Sequence, residues 1–181
     1  MQQRTIAEEC IGPSAYWKAR GRPVKIWGLL LDGELRTYVL PEGESMTMAR
    51  YEWLAEHKFS QWVADAWGRG AHAFLVQDHE RCLWGAGPKE ALRVEDIRLL
   101  ENFPRCSQDL NAIETAWREV RARLDVTLPR GRETRRAFLQ RLRRAVEWVS
   151  VHQADVLRAL CDSQKERAAA VLAAKGGRTV W

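Results

Sequence analysis

Apolar residues at Ile113, Trp117, Val120 and Leu124 recur in steps of four, three and four, which predicts one face of a helix beginning near Leu110. Asp109 stands where a side-chain oxygen can cap that helix. Phe138, Leu142, Val146 and Val149 repeat the pattern and predict a second helix over about 133–152, with another over about 153–174. Upstream the period changes. Val24–Leu31 and Glu34–Leu40 read as two strands, and Asp32-Gly33 between them is a hairpin turn signal. From Met46 to Trp67 the residues Tyr51, Leu54, Phe59, Trp62, Val63, Ala66 and Trp67 fall mostly at helical spacing; Ser45 or Thr47 can cap that helix, and Gly68 and Gly70 end it. Ala71–Gln77 reads as a buried strand with Asp78 at its C-terminal end. Leu83–Leu92 holds Gly85, Gly87 and Pro88 and is expected to be a loop and a short helix, followed by a short strand at Ile97–Leu100. Arg4–Ile11, closed by Gly12-Pro13, is a candidate first strand. This order predicts an α/β fold: a mixed sheet flanked by helices, with a helical C-terminal segment.

The 181 residues are enough for one domain, 1–181, with a sizeable core. Hydrophobic residues make up 46% and charged residues 29%, the balance of a soluble globular chain. No apolar run approaches the length of a membrane span, and Met1-Gln-Gln-Arg-Thr lacks the apolar segment of a signal peptide. Cys10, Cys82, Cys106 and Cys161 are scattered without Cys-x-x-Cys spacing, so reduced thiols are expected rather than a zinc site. Nine tryptophans is a high number, and most are expected in the core. The net charge of +5 is uneven: ten arginines face four acids between Arg118 and Glu147. Such a run is either a solvated helical face or a surface for phosphate, whose oxygens fit the arginine fork. Arg118, Arg121, Arg135, Arg136, Arg143 and Arg144 are the candidate DNA contacts.

The stretch Ser107-Gln-Asp-Leu-Asn-Ala-Ile-Glu-Thr-Ala-Trp117 resembles the Ser-Pro-Asp-Leu-Asn-Pro-x-Glu-x-x-Trp signature of mariner-type DDE transposases, the Tc/mariner superfamily. Ser107, Asp109, Leu110, Asn111, Glu114 and Trp117 match; Gln108 and Ala112 replace its prolines. Lys25-Ile-Trp-Gly…Asp32-Gly-Glu-Leu is similar to the family's Val-Trp-Gly…Asp-Gly-x-Leu, and the tail from Ser163 to Trp181 is similar to its closing segment, Ser-Met-x-x-Arg…Ala-x-Gly-Gly-x-Thr-x-Tyr. The resemblance runs from about residue 5 to the end. It implies an RNase H-like fold and metal-dependent DNA strand cleavage and transfer with Mg²⁺ or Mn²⁺. It also implies that the chain is the catalytic domain without the family's N-terminal helix-turn-helix region.

Hard cations prefer oxygen ligands, and a pair of ions sharing one phosphodiester needs several carboxylates. By resemblance Glu114 is the third acid of the triad and Asp78 the second, with 35 residues between them, close to the family's spacing. The position matching the first acid holds Glu8, where the family has Asp; sliding by one residue would put Ala7 there. Glu8, Asp78 and Glu114 are therefore the candidate catalytic and metal-binding residues. His79 and Leu83 stand where the family often has Asn and His, so His79 is expected to be a solvated or capping residue. Two functions remain open. One is a strand-cleaving and strand-joining transposase domain; the other is a transposase-derived domain that binds DNA or protein without catalysis. DNA as partner, a homodimer and a nuclear location go with the resemblance, and no membrane.

Overall fold

The computed structural model describes residues 2–6, 24–71, 73–101 and 110–175. β1 (Gln2–Ile6), β2 (Ile26–Leu31), β3 (Glu34–Val39), β4 (Ala73–Gln77) and β5 (Ile97–Leu99) form a mixed sheet in the order β3-β2-β1-β4-β5. β1 is antiparallel to β2, which is antiparallel to β3, whereas β4 runs parallel to both β1 and β5. Asp32 and Gly33 take φ of 35° and 88°, the paired left-handed geometry of a hairpin turn whose twist suits the flanking strands. β1 pairs with β4 only through Gln2 and Gln3, so Arg4–Ile6 run on past the end of β4. The strand expected over Arg4–Ile11 is thus described as far as Ile6, and Glu8 lies outside the described residues.

β2 is buried at all six positions because both of its faces are covered. Trp27, Leu29 and Leu31 point into one core, against α1 (Met48–Leu54), a π-helical turn (Ala55–Phe59), α2 (Ser60–Trp67) and α3 (Ala86–Val94). Ile26 and Leu30 point into the other, against α4 (Ile113–Val126), α5 (Arg135–His152) and α6 (Ala154–Asp162). The apolar step from Leu54 to Phe59 is five residues, one too many for an α-helical face. The wider π turn absorbs it and lays Phe59 flat on Trp27, with ring centroids 4.5 Å apart. Thr47, rather than Ser45, caps α1: its Oγ1 accepts from the Arg50 N–H at 3.2 Å.

Two expectations are corrected and a third is refined. The helix expected over 153–174 is two, α6 and α7 (Gln164–Ala173), broken at Ser163, whose hydroxyl donates to the Leu160 carbonyl at 2.8 Å and so competes with the helical ladder. α4 begins at Ile113, behind Ala112, rather than near Leu110; Asp109 lies outside the described residues. The expectation that most tryptophans are core holds in part for the described ones: Trp27 and Trp117 lie in the core, and Trp62, Trp84 and Trp148 pack against its margin. Among the described residues only Trp27 and Trp117 are buried; Trp53 and Trp67 are exposed, and Trp62, Trp84 and Trp148 half-buried. At the margin they also stack on polar side chains, Trp53 on His57 and Trp148 on His152. An indole needs water or a partner for its N–H, which favours such half-wet positions.

Trp117 enters the core through a gap made by a glycine. A Cβ built on Gly28 would lie 2.4 Å from Cζ2 and 2.8 Å from Cη2 of its ring. The Trp-Gly pair of β2 therefore serves two cores, Trp27 filling one and Gly28 admitting Trp117 to the other.

A polar staple joins α4 to α5. Arg141 donates to both carboxylate oxygens of Glu133, at 2.9 and 2.7 Å, and to the Leu124 carbonyl at 2.8 Å. Both side chains of the pair are largely buried, so removing one strands the other. Glu133→Gln is expected to lower stability by about 1–3 kcal/mol, read as a lower urea midpoint. An unchanged midpoint would show that the pair contributes nothing net.

Candidate active site at the end of β4

β4 ends at Gln77, and the pleat sends Gln77 and Asp78 to opposite faces. Gln77 is fully buried. Its Oε1 accepts from the Tyr51 hydroxyl on α1, and its Nε2 donates to the Leu83 carbonyl at 3.3 Å. The strand end is thus tied down on the α1–α3 side. Asp78, half-buried, meets the other layer: Oδ1 accepts from Asn111 Nδ2 at 2.9 Å. Its backbone carbonyl accepts from the Trp84 indole N–H at 2.8 Å. Trp84 in turn stacks on His79, centroids 4.0 Å apart and 7° from parallel, and Lys89 Nζ lies 5.4 Å from its ring centre. His79 is therefore a stacked residue.

Glu114 is half-buried in the first turn of α4, where the helix dipole favours a carboxylate. Its N–H bonds to the Asn111 carbonyl at 3.1 Å. Fully buried Asn111 therefore touches both halves of the site, Asp78 through its side chain and the Glu114 turn through its backbone. On the same side, Leu110 packs with Val76 and with Val171 of α7.

Mixed sheets with parallel strands place ligands at the C-terminal strand ends. Asp78 is at such an end, on the path β1 follows beyond β4. Among the described residues no three His, Cys, Asp or Glu side chains converge as a metal cluster. The two acids that are described supply hard oxygen donors, the kind that suit Mg²⁺ or Mn²⁺. Burial raises the pKa of Cys82, with the Glu80 carboxylate adding to the effect, and burial likewise raises that of Cys161.

Compared with solved structures, the chain superposes on the catalytic domain of Mos1 mariner transposase with a TM-score of 0.67, covering 98% of this chain and 82% of that one at 13% identity. The fold is that of a mariner transposase catalytic domain. It is the RNase H-like α/β type, a mixed sheet flanked by helices. The Mos1 catalytic domain with Raltegravir and Mn gives a TM-score of 0.65 at 12% identity, covering 98% of this chain and 83% of that one. The Mos1 strand transfer complex gives 0.67 at 14% identity; there the match covers 98% of this chain but 55% of the other. No protein-family model and no curated protein matches the chain by sequence.

Within the mariner fold the arginines are divided between α4, which also carries Glu114, and α5. α5 covers β3, where Ser150 Oγ accepts from the Leu35 N–H at 3.1 Å, so its arginines sit toward the sheet edge away from β4 and β5. Arg135 is paired with Glu42 at 3.3 Å, Arg118 lies 3.8 Å from Glu119, and Arg141 is held by Glu133. Arg121 is half-buried on α4, whereas Arg136, Arg143 and Arg144 are exposed on the outer face of α5. A groove of about 450 Å³ between α4 and α5 is lined by Arg123, Arg141, Arg144 and Trp148. Arg123 is preset there over the Trp148 ring, 4.3 Å from its centre.

The sequence did not assign roles to Gln77, Trp84 or Asn111. Asn111 carried a signal, since it matches the signature and is a polar residue flanked by Leu110 and Ala112.

Proposed function

We propose that the chain is a transposase-type catalytic domain that cuts and joins DNA strands with Mg²⁺ or Mn²⁺ held by Asp78, Glu114 and Glu8. The observation that supports it most is the hydrogen bond from Asn111 to Asp78, which links the β4 end to the first turn of the helix bearing Glu114. The metal, when bound, supplies Lewis-acid stabilisation of the leaving oxygen and an activated water or 3′-hydroxyl. The chain's own residues orient that chemistry. Gln77 and Trp84 fix the strand end, Asn111 holds one oxygen of Asp78, and the helix turn presents Glu114. The Mos1 structures with Mn, with Mg and as a strand transfer complex are in keeping with this reading. It carries with it DNA as partner, a homodimer and a nuclear location.

A second reading, a domain that binds DNA without cutting it, is favoured by one observation: Glu8 stands where the family has Asp. Plasmid nicking in Mg²⁺ or Mn²⁺ separates the two. Metal-dependent nicking lost in both Asp78→Asn and Glu114→Gln is the result expected of the first reading. No nicking with DNA binding retained supports the second. Nicking that survives both substitutions removes these residues from the site.

DNA affinity is expected to fall steeply between about 50 and 200 mM salt, because each arginine–phosphate contact releases counterions. Replacing Arg136, Arg143 and Arg144 together by Gln is expected to flatten the salt slope by about 0.9 for each phosphate no longer neutralised, whereas Arg141→Gln affects stability first. An unchanged slope in the triple variant would place DNA elsewhere.

A further inference from the structure

We infer that Asn111 is the positioning residue of the metal site, setting the orientation of Asp78 as a ligand. The inference rests on the proposed metal role of Asp78. Asn111 is fully buried, and its Nδ2 donates to Asp78 Oδ1 at 2.9 Å. Its own Oδ1 is buried and finds no hydrogen-bond partner among the described residues. A buried amide with one end unsatisfied is costly. What the amide supplies that leucine cannot is a fixed N–H donor on one carboxylate oxygen. That donor stops rotation of the Asp78 carboxylate, as hydrogen-bonded neighbours of metal ligands do. The Asn111 carbonyl takes the Glu114 N–H at 3.1 Å, so the residue that orients Asp78 also begins the turn that carries Glu114. One short segment thereby keeps two acids in fixed relation although they belong to different layers of the fold.

The test is Mn²⁺ binding to the whole chain by titration calorimetry, with thermal unfolding of every variant and the metal-induced rise in its midpoint. The variants are Asn111→Leu and Asp78→Asn. The substitution at 111 removes the side-chain donor but keeps the backbone bond to Glu114, so the effect isolates the Asp78 contact. Wild type is expected to bind Mn²⁺ and Asp78→Asn to lose binding. Asn111→Leu is expected to stay folded and bind about 10- to 100-fold more weakly. If Asn111→Leu unfolds, the smaller Asn111→Ala decides by the same comparison. Full Mn²⁺ affinity in a folded Asn111 variant, with binding lost in Asp78→Asn, overturns the positioning role and leaves the metal reading standing. Absent binding by wild type, or equal binding by Asp78→Asn, overturns the metal reading and this inference with it.

Discussion

Replacing Trp117 by alanine is expected to remove about 3–5 kcal/mol of stability, a large share of the total of roughly 5–15 kcal/mol that a domain of this kind holds. The ring is fully buried and packs on β2 where Gly28 leaves space, with Ile113 beside it. Its removal leaves a cavity bounded by a strand and a helix, neither of which can collapse far without breaking its ladder. The converse change is also costly. Gly28→Ala places a methyl within 2.4 Å of the ring, closer than any real contact, so the indole or the strand must move. The two effects are coupled. In a Trp117→Leu background, Gly28→Ala is expected to cost little, because the added methyl then fills space the smaller side chain left. Urea unfolding of the four proteins of this cycle measures the coupling. Strictly additive losses would show that the glycine and the tryptophan do not share one site.

That packing explains why two of the segments carrying the family resemblance look as they do. The Trp27-Gly28 pair and Trp117 lie about ninety positions apart in the chain, yet one is the slot for the other. Neither could be inferred from periodicity, which marks Trp117 as inward-facing without saying what it faces. Features set by local chemistry were legible: Asp32-Gly33 as the hairpin turn, Gly68 as a helix end, and Asp78 at the end of a buried strand. Features set by distant partners were not. The Asn111 amide is spoken for by a residue 33 positions away, and the helix expected near Leu110 begins at Ile113. The arginine run illustrates a third case. Its surplus of charge is plain in the sequence, but three-dimensional pairing withdraws Arg135 and Arg141 and leaves Arg136, Arg143 and Arg144 outermost. The five-residue step before Phe59 passed within a pattern read as mostly helical, and the π turn shows how the chain accommodates it.

The first acid sets the expected level of catalysis. Glu8 carries one methylene more than the aspartate of the family pattern; on the proposed metal role that would displace a bound ion by about 1 Å, and an error of that size costs on the order of 10²-fold in rate. The wild-type chain is therefore expected to nick supercoiled plasmid weakly in Mg²⁺ or Mn²⁺. Glu8→Asp is expected to raise the rate, by up to about 10²-fold if the methylene is the whole defect. Glu114→Gln is expected to abolish nicking in both backgrounds, because it removes a charged ligand rather than moving one. The double variant separates repair of the site from a contaminating nuclease, whose activity would ignore position 114. Robust cleavage by wild type that Glu8→Asp does not improve would show that the longer side chain reaches the ion without penalty. A rise on Glu8→Asp that persists after Glu114→Gln would mean that the two residues do not serve one centre. A rise that vanishes with Glu114→Gln would join Glu8, Asp78 and Glu114 into a single three-carboxylate site.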